Sequence, residues 1–91
     1  MPPTGRQDAP PSAALASVLK NFPEEGAKIR QLFQQSPAFQ SLCEDYHDCL
    51  TAWQYWRQAS APEAPNLSRS YAELLQELEQ EVQQYLEDGE V

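Results

Sequence analysis

Apolar residues recur through the middle of the chain at a single helical spacing. Phe39, Leu42, Tyr46, Cys49, Trp53 and Trp56 follow one another at intervals of 3, 4, 3, 4 and 3, the a and d positions of almost three heptads. Such a run gathers the large side chains on one stripe of a helix and leaves the polar ones on the opposite side. A second run, Tyr71, Leu75, Leu78, Val82 and Tyr85, repeats at 4, 3, 4 and 3. No segment alternates with the period of two that a half-buried strand needs, so the expected class is all-α.

Local signals bound the two runs. Ser36-Pro37 reads as a helix start, with the Ser side chain as N-cap and Pro already at helical φ in the first position. Pro62 and Pro65 mark residues 60–67 as a connection. Ser70 with Glu73 forms a capping-box pattern and Gly89 a C-terminal stop. Two helices over about 37–59 and 68–88 are therefore predicted, each long enough, at about 30 Å, to pair along its length. The short connection makes the pair an antiparallel hairpin, and the implied layers place Trp56 near Tyr71, Trp53 near Leu74 and Leu75, Cys49 near Leu78, Tyr46 near Val82, and Leu42 near Tyr85 and Leu86.

The stripes are wider than a two-helix seam requires. Cys43 and Leu50 flank one, and Leu74 and Leu86 flank the other, so a further element has to cover them. The N-terminal third offers one. Residues 1–11, with four prolines and no apolar period, read as a disordered lead-in to a single helical domain over 12–91. Ser12 is positioned to cap a helix bearing Leu15, Val18, Leu19 and Phe22, and Ile29, Leu32 and Phe33 follow on a second short helix with Pro23 in its first turn. One or two short helices packed on the hairpin give a small bundle of three to four helices; a second copy of the hairpin is the rival cover.

Charge and composition then narrow the function. The 91 residues carry a net charge of −8, and from Tyr71 onward there are seven acids and no Lys or Arg. A nucleic-acid binder needs a basic stripe, so that class is disfavoured. No apolar run reaches membrane-spanning length and the first eleven residues do not form a signal peptide, which makes the expected location cytoplasmic, with Cys43 and Cys49 reduced.

The segment Cys43-Glu44-Asp45-Tyr46-His47-Asp48-Cys49 concentrates thiols, an imidazole and carboxylates. On a helix the two cysteines stand about 9 Å apart along the axis and on different faces, too far for a disulfide or for one tetrahedral ion. Cys43 and His47, at i and i+4, remain weak metal candidates that lack two further ligands. Glu44-x-x-His47 matches half of a di-iron motif but falls outside the seam, with no second His to complete it. Cys49 reads as a small core residue, Cys43 as its border, and His47 and Asp48 as solvated. No nucleophile, base and orienter are assembled, so no catalytic residue, cofactor or small-molecule substrate is assigned.

The cadence L-C-E-D-Y-H-D-C, then A-W-Q-Y-W, then S-Y-A-E-L-L-Q-E-L-E-Q-E-V-Q-Q-Y-L, spanning Phe39 to Leu86, resembles small bacterial helical proteins with no assigned function. The resemblance implies a two-long-helix architecture and a bacterial cytosolic origin, and brings no catalytic residues with it.

The expected function is a non-enzymatic protein–protein interaction or regulatory module, able to bind another protein or to form a homo-dimer. Tyr55 and Trp56 at the turn end of the hairpin, and Glu77 and Glu81 on the acidic last helix, are the candidate contact residues. A metal- or redox-responsive protein using Cys43, His47 and Cys49 is the competing expectation, and an acidic mimic of nucleic acid, acting as an inhibitor, is the third.

Overall fold

Four α-helices and one 3₁₀ turn make up the computed structural model, which describes residues 4–88, and their side chains from Ala13 onward. Helix α1 spans Thr4–Asn21, the 3₁₀ turn Pro23–Glu25, α2 Gly26–Gln35, α3 Pro37–Gln58 and α4 Ala64–Asp88. No strand occurs among the described residues. The helical backbone of α1 begins ahead of Ser12, while the side chains of the expected lead-in and of the Ser12 cap lie outside the described residues.

The breaks between helices follow from single residues. Pro23 has no N–H to give to the ladder of α1, so the chain leaves that helix at Asn21 and Pro23 opens the 3₁₀ turn that leads into α2. Gly26, the first residue of α2, has ordinary helical angles of φ −56° and ψ −44°. Ser36 takes extended angles between α2 and α3. Its N–H closes the last turn of α2 on the Leu32 carbonyl, and its hydroxyl accepts from the Phe39 N–H at 3.1 Å. One residue thus ends a helix and caps the next.

Helix α3 is the central element. Helix α4 packs along it as the antiparallel partner, and α1 and α2 lie against it as well. The core runs through all four helices: Ala14 and Val18 of α1, Ile29 of α2, Phe39, Leu42, Cys43, Tyr46 and Cys49 of α3, and Leu75, Leu78, Val82 and Leu86 of α4. Each fully buried large side chain contributes about 1.5–3 kcal/mol relative to exposure. Phe22, Leu32 and Phe33 pack on the same cluster, so the N-terminal segment supplies part of the cover that the wide stripes require. Lys28 reaches from α2 to donate to the Leu86 carbonyl at 2.8 Å, and Gln40 donates to the Phe33 carbonyl at 2.5 Å.

The hairpin register differs from the expected one by about one turn. Helix α4 starts at Ala64 rather than near residue 68, which leaves Ala59–Glu63 as the connection. The Leu67 N–H bonds the Glu63 carbonyl at 3.1 Å, so Pro65 sits in the first turn, where a missing N–H is harmless. Ser70 and Glu73 are interior residues of α4, not a cap. Drawing the turn toward the N-terminus shifts the contacts seen at Phe39 and Cys49. Phe39 meets Tyr85, edge to face with ring centroids 5.3 Å apart, and the Cys49 thiol reaches the Tyr71 carbonyl at 3.4 Å while lining one groove with Leu78.

Candidate functional site

Of the four flanking residues that call for cover, three receive it. Cys43 and Leu86 are buried, and Leu50 packs on the core from a half-buried position. Leu74 does not, remaining 41% exposed. It stands on the side of α4 where the hairpin meets solvent, beside a groove lined by Asp45, Asp48, Cys49 and Ala52 of α3 and Tyr71, Leu74 and Leu78 of α4. The groove encloses about 350 Å³ and is open to solvent. The floor positions fall at helical spacing on both helices, 45, 48, 49 and 52 on one and 71, 74 and 78 on the other, so each helix turns one edge of its apolar stripe toward the groove.

The same edge of α3 continues toward the turn. Positions 48, 52 and 55 follow at i, i+4 and i+7, and this line ends at Tyr55, 64% exposed, whose ring meets Trp56 edge to face with centroids 5.0 Å apart. Trp56 is half-buried and lies outside the core cluster, so the seam expected to run through it closes one turn earlier, at Trp53. Trp53 itself packs on the core and carries the Arg57 guanidinium 4.7 Å above its ring. Glu77 and Glu81 are both exposed. By helical position they lie on the outer flank of Leu74 and Leu78. Tyr55, Glu77 and Glu81 therefore border one face, with Trp56 at its end.

The chemistry-bearing cluster is dispersed by the fold. Cys43 is completely buried, and burial, with the Glu44 carboxylate as a second cause, pushes its thiol up to about 12. Burial also raises the Cys49 thiol. Both are held protonated and poorly nucleophilic. His47 is not on a solvated face, as its position outside the seam suggested, but half-buried against α1, where its Nδ1 lies 2.6 Å from the Ser17 hydroxyl. Sequence spacing within α3 gave no sign of this, because the side on which α1 docks is a tertiary property. Ser17 is interior to α1, so its backbone N–H is engaged in the helix and is not available as an oxyanion donor. Among the described residues no group of three or more His, Cys, Asp and Glu comes together as a metal site.

One carboxylate of the acidic last helix has a structural partner. Glu79 is half-buried and accepts from the Tyr46 hydroxyl at 3.1 Å, which provides the partner that a buried phenol needs. Burial first, and the Glu79 charge second, raise the Tyr46 pKa well above its ordinary value of 10.0. Among the described residues no helix is long and apolar enough to cross a membrane. No protein-family model, curated protein or solved structure matches the chain.

Proposed function

We propose that this chain is a non-enzymatic protein-interaction module, a small helical bundle that binds another protein or a second copy of itself through the open face of its hairpin. The observation that carries this reading is the location of the two large hydrophobic side chains left exposed among the described residues. Leu74 lines the apolar groove, and Tyr55 follows by helical spacing on the edge of α3 that carries Asp48 and Ala52 of its lining. Exposed aromatic and aliphatic side chains beside a groove are the usual anchors of protein interfaces. The buried, protonated thiols and the engagement of His47 with Ser17 favour this reading over a metal- or redox-responsive one.

The test compares the full chain with a Tyr55→Ala, Leu74→Gln double variant, in affinity capture from extracts of its source cells and in sedimentation at rising concentration. A specific partner, or a dimer, that is present with the unmodified chain and lost with the variant is the expected result. A chain that stays monomeric and captures nothing, or whose associations are indifferent to both substitutions, would overturn the proposal.

A further inference from the structure

The groove's borders carry one sign of charge on both sides, and that identifies what it would accept. On the α3 side stand Asp45 and Asp48, both exposed and both lining the groove. On the α4 side Glu77 and Glu81 occupy the outer flank of Leu74 and Leu78. No cation lines it. Between the two acidic borders the floor is apolar, made by Cys49, Ala52, Tyr71, Leu74 and Leu78.

Resting on the interaction reading above, we infer that the occupant is an amphipathic helix of another protein, with an apolar stripe flanked by Lys and Arg. The groove spans eight residues on each helix, from position 45 to 52 and from 71 to 78. That is about 10 Å, the length over which a docked helix presents anchors at i, i+3 or i+4, and i+7. Such a helix would lay its apolar residues on Leu74, Ala52 and Tyr71 while its cations meet carboxylates on either side. The attraction is greatest where burial of the apolar stripe lowers the local dielectric. A second copy of this chain fits less well. Its own groove is bordered by the same carboxylates, and a chain of net charge −8 repels itself at close approach.

The proposal is tested with the full chain, isotope-labelled for amide NMR, and two synthetic helical peptides of about 14 residues. Both carry the same leucine stripe, one flanked by Lys and the other by Glu. The Lys-flanked peptide is expected to bind at least about tenfold more tightly than the Glu-flanked one, with the largest shift changes at Asp45, Asp48, Ala52, Leu74 and Leu78. An Asp45→Lys, Asp48→Lys, Glu77→Lys, Glu81→Lys variant, checked for its helical circular dichroism, is expected to invert that preference. Leu74→Gln is expected to weaken binding of the preferred peptide about tenfold, since it removes an apolar contact without touching the charges.

Shift changes spread over all the carboxylates, a charge preference that the quadruple variant leaves unaltered, or no binding of either peptide would each overturn the proposal. The interaction reading is separable from it. A natural partner lost with Tyr55→Ala, Leu74→Gln but retained by Asp45→Lys, Asp48→Lys would keep that reading and remove the basic-helix occupant.

Discussion

The two halves of α3 continue one apolar stripe but differ in what covers it. Five side chains of this helix are buried, all between Phe39 and Cys49. The second half, from Leu50 to Gln58, buries none, although it holds both tryptophans and Tyr55. In the first half the stripe is closed from two sides, by α4 and by the N-terminal helices, with the Ser17–His47 and Gln40–Phe33 bonds fixing α1 and α2 in place. In the second half the ring of Trp53 is finished by a guanidinium and that of Trp56 by an exposed tyrosine. A heptad pattern thus states which side of a helix is apolar. How far along that side the cover extends depends on other elements.

The largest test of this contrast is Phe39→Ala. It deletes a fully buried ring and its edge contact with Tyr85, and should cost about 3–5 kcal/mol in urea unfolding. A cost below about 1 kcal/mol would mean that the first half is not closed.

Alkaline unfolding probes the same half through its buried acids. Cys43, ordinarily at 9.0, is pushed up to about 12, so the folded chain holds this proton more tightly than the unfolded chain does. Above pH 9.0 the unfolded state releases it first and binds fewer protons than the native state, which makes the slope of stability against pH negative. Tyr46 acts in the same direction from its own ordinary value of 10.0. The thermal midpoint is expected to be level just below pH 9.0 and to fall from there upward, less steeply in Cys43→Ala. A flat midpoint across that range would show that solvent reaches the thiol.

Trp53→Ala probes the second half. The ring is half-buried, so the expected cost is about 1–2 kcal/mol, about half of which Arg57→Gln alone should reproduce by removing the cation–π contact. A loss equal to that of Phe39→Ala would erase the difference between the halves. The smallest expected effect is at Tyr55. Replacing it with Ala should move stability by no more than about 0.5 kcal/mol, because its ring is mostly in solvent. Gly26→Ala, at the corner where the cover begins, should act in the opposite direction. A Cβ there would meet only Arg30 Nη1 at 3.6 Å and Leu19 Cδ2 at 3.7 Å, so a gain of about 0.5 kcal/mol is expected from the reduced freedom of the unfolded chain.

Helix identity and the Ser36-Pro37 start were legible because each depends on a few adjacent residues, whereas Pro23 fitted a kink as well as the break that the structure has. The register was not legible. It is set by where α4 begins, and Pro65 belongs to the first turn of that helix by the same rule that places Pro37 at the start of α3. Reading Pro65 as part of the connection placed the start of α4 about one turn too late. Of the open face, Tyr55, Glu77 and Glu81 could be assigned to exposed positions from helical spacing. Leu74 could not, since its exposure depends on which helices pack beside that edge of α4, a tertiary property. His47 was misplaced for a related reason: α1 docks on a side of α3 that the seam leaves unspecified.

The bond from Lys28 to the Leu86 carbonyl has an electrostatic consequence for the end of α4. That helix has no basic residue in its last turn, and it ends instead on Glu87 and Asp88, whose charges oppose the negative pole of the helix dipole. The cation it lacks comes from a residue 58 positions earlier in the chain. The C-terminal turn of α4 is therefore held in part by α2, and neutralising Lys28, as acetylation would, should let amide exchange quicken at Tyr85 and Leu86 before it does so anywhere in the centre of the hairpin.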